Sequence, residues 1–224
     1  MPNKILVSFL ASDVLFLLTG GLLIGFALMS EKDLRANPDM DSVAQHLLLK
    51  RTPLTAAVVN AIFIFIAFAL SLPGFFIPTN RGWFKAHGWM VTLCGVFTLA
   101  IGSAIWIETL RTRSMLGSVW AKESEATQSL LQEKFNCCGY DSPTSPPFIQ
   151  DSTCTSTLVA ARKGGCIGPF SSFANQYLDV IFTAMFGAVG LDAIVVLCVT
   201  MVLKDRQEQA RYRHIDEKNG MDGI

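Results

Sequence analysis

The sequence predicts an all-α membrane protein: four transmembrane helices, with a disulfide-stapled, mainly helical large extracellular loop between the third and the fourth. Three observations lead there. Hydrophobic residues make up 51% of the 224 and charged ones only 16%, with a mean hydropathy of +0.41, an imbalance that departs from soluble composition. Four stretches of at least about 20 residues are nearly free of charge, and at about 1.5 Å per residue each crosses the ~30 Å hydrocarbon layer as a helix. Four cysteines fall in one polar loop, where disulfides imply an oxidising compartment.

The elements follow in chain order. Residues 1–4 precede the first span, 5–29, which is too long for a signal-peptide core and is read as retained. A small extracellular loop, 30–53, leads to span two, 54–77, in which Pro73 predicts a bend. A short cytoplasmic loop, 78–87, carries Arg81 and Lys85. Span three is 88–109, the large extracellular loop 110–177, span four 178–203 and the tail 204–224. An even number of spans puts both termini on one side. The loop cysteines assign that side to the cytoplasm, and the tail, with Lys204, Arg206, Arg211, Arg213 and Lys218, agrees with the positive-inside rule. The expectation is a multi-pass protein of the plasma membrane and of endosomal or vacuolar membranes.

The large loop holds Cys137, Cys138, Cys154 and Cys166. Zinc would call for paired C-x-x-C spacings, which do not occur, so disulfides are the reading. A bridge between adjacent cysteines needs a strained small ring. Two connectivities then stay open: Cys137 with Cys166 and Cys138 with Cys154, or the reverse. Either closes segments of about 17 to 30 residues, worth about 3 kcal/mol in the entropic description. Before the pair, Leu116, Val119, Ala126, Leu130 and Phe135 recur at near-helical spacing, predicting one helix over 115–135 that rises from span three. Gly139 is expected to end it, with Cys137 and Cys138 diverging as adjacent helical positions. Prolines 143, 146 and 147 exclude further helix, and helical pattern returns over 170–177.

Polar residues inside the spans are Asp13, Asn60, Glu108 and Asp192. An acid at mid-membrane costs about 2.5–3.5 kcal/mol on insertion scales and normally faces protein or a polar ligand. Asp13 and Asp192 lie about 12 and 16 Å from the cytoplasmic ends of their helices, so they are expected to line a lipid pocket between spans one and four; interhelical hydrogen bonding without a ligand is the competing reading. Glu108, near the outer end, reaches headgroups. Gly21 and Gly25 form G-x-x-x-G, and Gly95 and Gly102 lie a heptad apart, marking intramolecular packing faces. Cys94 and Cys198 stand toward the cytoplasmic ends of their spans as candidates for S-acylation or as buried thiols. Tyr212 and Ile215 fit a tyrosine-based sorting pattern.

Several classes are disfavoured. Lys plus Arg and Asp plus Glu balance at 18 each, giving no field for nucleic acid. The three histidines, His46, His87 and His214, fall in separate segments, and no nucleophile elbow, phosphate loop or zinc-protease motif occurs, so a catalytic role and a dedicated cofactor are not expected. No N-glycosylation sequon is present.

Four spans with a small first and large second outer loop, Cys137-Cys138-Gly139 after a helix, Gly165-Cys166 before the last span, and the glycine-punctuated LLTGGLLIGFAL of 17–28 together resemble the tetraspanin family. The resemblance covers the whole chain. It departs in two places: the third loop cysteine sits in DSTC rather than a proline-containing form, and Asp13 stands where asparagine is more usual. It implies the nested pairing Cys137 to Cys166 and Cys138 to Cys154, palmitate on the membrane-edge cysteines, and a sterol between Asp13 and Asp192. The compact loop and short tail are most similar to fungal tetraspanins associated with host penetration. The implied function is a noncatalytic organiser that gathers other membrane proteins laterally, a second copy of the chain among them, through the large loop. The alternative is a small four-helix transporter or channel using the membrane acids. Claudin-like and connexin-like proteins are disfavoured because the first outer loop lacks cysteine.

Overall fold

The computed structural model describes residues 4–76, 81–144 and 147–218. The expected terminal residues 1–3 and 219–224, the loop stretch 77–80, and Ser145 and Pro146 lie outside the described residues. Eight helices are described: α1 (Lys4–Arg35), α2 (Val43–Leu49), α3 (Leu54–Phe76), α4 (Gly82–Leu110), α5 (Thr112–Trp120), α6 (Glu125–Phe135), α7 (Thr157–Lys163) and α8 (Ile167–Lys218). No strand occurs among the described residues beyond the isolated bridge between Thr144 and Pro147. α1, α3, α4 and α8 are long and apolar enough to cross a membrane, and only 28–33% of each apolar window is buried inside the protein. The outward apolar remainder needs a hydrocarbon solvent, which makes the chain a multi-pass membrane protein.

The helices overrun the apolar runs that reveal them. α1 continues six residues past 29, where Glu31 and Arg35 pair at 2.5 Å across one turn. α4 begins at Gly82, taking up most of the expected 78–87 loop, and α8 starts at Ile167 and runs on into the tail. A helix ends where its backbone bonding is interrupted, not where hydropathy falls.

The chain divides into two compact units. The first comprises residues 1–27, 55–100 and 185–224. Its core gathers Phe9 and Phe16 of α1, Ile64 and Ala67 of α3, Phe84 and Val91 of α4, and Val195 and Val199 of α8. Phe9 meets Phe84 edge-on at 5.3 Å and stacks on Phe75 at 5.5 Å. A Cβ at Gly74 would come within 2.9 Å of the Phe84 ring, so the missing side chain is what admits that ring. Pro73 lies inside α3, which continues to Phe76. Gly21 and Gly25 do not form the expected packing face: nothing lies within 4 Å of where their Cβ atoms would stand, whereas a Cβ at Gly20 would meet Ile64 at 2.8 Å. Gly95 does pack, its open face set against the Asp192 side chain.

The second unit comprises residues 28–54 and 101–184. Val43, Ala44, Leu47 and Leu48 of α2 share one core with Leu116, Trp120, Leu131, Tyr140 and Phe170. The short segment between α1 and α3 is therefore packed into the same body as the long one between α4 and α8. Polar ties reinforce this: Lys134 donates to the Asp41 carbonyl, Arg51 to Ser118 Oγ at 3.4 Å, and Lys50 approaches Glu123 at 3.7 Å.

Candidate functional site

The expected single helix over 115–135 is two helices. α5 stops at Trp120, and Ser124, in extended conformation, caps α6 by accepting a hydrogen bond from Thr127 N–H at 3.3 Å. A serine oxygen that satisfies an orphan amide makes a new helix start cheaper than continuation. α6 ends at Phe135, with Asn136 in the left-handed conformation at φ 50°, so Asn136 rather than Gly139 terminates the helix. The Asn136 side-chain oxygen accepts from Lys163 Nζ at 2.7 Å. Cys137 and Cys138 thus lie beyond the helix, and Gly139 has its own positive φ of 73°.

Disulfides join Cys137 to Cys166 and Cys138 to Cys154. The backbone around them is sewn together: Cys138 N–H donates to Gly164 O, Cys166 N–H to Gly139 O and Ile167 N–H to Tyr140 O, each at 2.9 Å. Gly165 lies so near the Tyr140 and Asp141 carbonyls that any Cβ would collide with backbone. The Tyr140 hydroxyl donates to the Arg113 carbonyl, and its ring lies 5.7 Å from that of Trp120. Burial raises the Tyr140 hydroxyl pKa, helped by Asp141 and opposed by Arg113.

A hub absent from the sequence reading organises the rest. Gln132 is fully buried; its Oε1 accepts from Gly139 N–H at 3.0 Å and Ile149 N–H at 3.1 Å, and its Nε2 donates to Ile149 O at 2.8 Å and Asp151 Oδ2 at 2.7 Å. Asp151 also accepts from Cys154 N–H, Thr153 N–H and Ser129. Burial works to raise the Asp151 carboxyl, but these hydrogen bonds outweigh it and hold the group below its ordinary value of 3.8. The spacing Asp-x-Thr-Cys carried a signal for this, since an aspartate readily caps the amides two and three residues on; Gln132 carried none.

In the first unit, Asp13 is wholly buried between partners from α3 and α4: Ser71 Oγ lies 2.6 Å from Oδ2 and His87 Nε2 lies 3.4 Å from Oδ1. His87 Nδ1–H donates to Ala67 O at 2.8 Å. Reading the histidines as isolated overlooked this meeting. The order is Ser–Asp–His, with the carboxyl in the middle, which is not the Ser–His–Asp order that activates a nucleophile. Asp192 packs on Gly95. Buried Asn60 donates to Thr98 Oγ1 at 2.7 Å, and Thr98 to Cys94 O at 2.8 Å. Arg206 donates to Gly74 O at 2.9 Å, closing an end carbonyl of α3, and its guanidinium sits 4.4 Å from the Phe84 ring centroid.

Cys94 and Cys198 are both buried thiols in the first-unit core; an acyl chain at either would displace this packing. Glu108, in the second unit, is half-buried near the end of α4. Tyr212 and Ile215 are exposed on α8. Among the described residues no cluster of three or more His, Cys, Asp or Glu is placed to hold a metal. Comparison with protein-family models, curated proteins and solved structures finds no match to this chain.

Proposed function

We propose that this protein is a noncatalytic membrane organiser of the tetraspanin kind, with its second unit exposed outside the cell, both termini cytoplasmic, and lateral membrane partners recognised by the segment between α4 and α8. The observation that supports this most is the pairing of Cys137 with Cys166 and Cys138 with Cys154 inside a unit with its own apolar core. Two crosslinks over a small core favour a rigid recognition surface and an oxidising compartment. The test is capture in mild detergent followed by mass spectrometry, comparing wild type with a chain whose 110–177 segment is exchanged. Partners that follow the exchanged segment support the reading; an unchanged partner set overturns it. Orientation is read separately by an impermeant protease on intact cells, which must cleave the second unit.

The lipid part of the proposal is a sterol whose hydroxyl reaches Asp192. If Asp192→Leu leaves photoreactive sterol labelling unaltered, that part is discarded. A second reading, proton or ion transport, draws support from the buried Asp13, Ser71 and His87 group, and flux into liposomes carrying the purified protein separates it from the first.

A further inference from the structure

α4 leaves its apolar run at Thr109, and α8 enters its own at Leu178. Within the second unit, between these two points, lies a cavity of about 640 Å³ whose walls come from the α4–α5 junction and the first turns of α8. This is within the usual size of small-ligand sites, roughly 300–1,000 Å³. Its chemistry is one-sided. Arg111 and Arg113 are exposed and line it, and neither forms an ion pair among the described residues. Ser114 and Ser172 add exposed hydroxyls, and no carboxylate is among the lining residues.

Asn175 completes the wall. The Thr112 hydroxyl lies 2.6 Å from the Asn175 Oδ1 and 2.7 Å from Thr109 O, so this side-chain pair ties the α4–α5 junction to the start of α8. Two guanidiniums and exposed hydroxyls make a surface of donors and positive charge, which suits an anion with several acceptor oxygens. Paired arginines match the oxygens of a phosphate.

The rim of the cavity indicates what carries the phosphate. Leu110, a lining residue, is 68% exposed, and Ile107, one turn back on α4, is 50% exposed. A free phosphate makes no use of an apolar lip that continues into a membrane helix; a phospholipid lays its acyl chains along it. We propose that this cavity holds the phosphate of an anionic phospholipid, clamped by Arg111 and Arg113. The inference rests on the membrane-crossing helices and not on the organiser reading, so either fails without the other.

The test is native mass spectrometry of the purified full-length protein in detergent, titrated with phosphatidylglycerol and, in parallel, with phosphatidylcholine. The Arg111→Gln/Arg113→Gln variant removes the clamp, and Ser172→Asp places a carboxylate in the wall; intact mass reports that both disulfides are retained in each. Each variant is expected to bind phosphatidylglycerol about tenfold more weakly or worse, the loss appropriate to a charge-assisted hydrogen bond, while phosphatidylcholine, whose ammonium offsets the charge of its phosphate, binds wild type more weakly than phosphatidylglycerol and loses less in each variant. Inorganic phosphate at millimolar concentration is expected to leave the bound lipid in place. Wild-type affinity for phosphatidylglycerol in both variants would overturn the site, and complete displacement by inorganic phosphate would overturn the lipid as its ligand.

Discussion

His87 Nε2 lies 3.4 Å from Asp13 Oδ1, with both side chains wholly buried. Because His87 Nδ1–H is committed to the Ala67 carbonyl, Nε2 is the ring nitrogen left to face Asp13. Ser71 has a single hydrogen and two acceptors, Asp13 Oδ2 at 2.6 Å and Phe68 O at 2.8 Å. The group therefore has two satisfied arrangements. In one, an ionised Asp13 faces a charged His87; in the other, a neutral Asp13 donates from Oδ1 to His87 Nε2, and in both Ser71 donates to Oδ2. A low-dielectric surround makes either arrangement far better than a lone ion.

Removing one partner should therefore cost more than removing both. His87→Leu leaves Asp13 Oδ1 without a donor and is expected to destabilise the bundle by about 3 kcal/mol, the usual scale for a broken buried pair. Asp13→Leu/His87→Leu should recover part of that loss. Thermal unfolding in detergent checks it, and a double variant less stable than His87→Leu alone would contradict the coupling.

Asp151 gives the second unit a defined acid limit. Its folded pKa is lowered, so its contribution to stability is complete above the unfolded value and is lost as pH falls through the folded one. The unit should hold its structure from neutral pH to near 3.8 and weaken below it, and Asp151→Asn should flatten that dependence while lowering stability at neutral pH. Tryptophan fluorescence against pH is the measurement; Trp120 is buried in the same core.

Gln132→Leu should be among the most damaging single changes in the second unit. It strips partners from Gly139 N–H, Ile149 N–H and Ile149 O and removes one donor from Asp151. With about 1–3 kcal/mol for each buried group left unsatisfied, a loss of several kcal/mol is expected, far above the usual point-mutation scale of about 1 kcal/mol. Urea titration of the purified protein reads it.

Gly165→Ala should prevent the Cys137 to Cys166 bridge from forming, because its Cβ meets the Tyr140 and Asp141 carbonyls and no flexible side chain is there to yield. Thiol tagging after synthesis should show two extra free cysteines. The bridges themselves should differ little: they close 29 and 16 residues, about 3.6 and 3.1 kcal/mol in the entropic description.

The membrane helices were readable from the chain because hydropathy summed over a window is a local and additive property, and a stretch such as 54–76 needs no partner to be recognised. The concentration of cysteines in one polar segment was legible for the same reason. Finer boundaries were hidden by competition between local alternatives: the Ser124 cap divides a seemingly continuous helical pattern, and Asn136 ends it before Gly139 has the chance. Partnerships were hidden by distance along the chain. Asp13 and His87 are 74 residues apart, and nothing in the composition of either segment marks them for each other; likewise Gln132 reads as an ordinary polar helix residue until folding wraps Gly139, Ile149 and Asp151 around it. Apolar length is a property of each segment alone, whereas the satisfaction of a buried polar atom is a property of whichever atoms packing brings within 3 Å or so of it, and only three-dimensional structure chooses those.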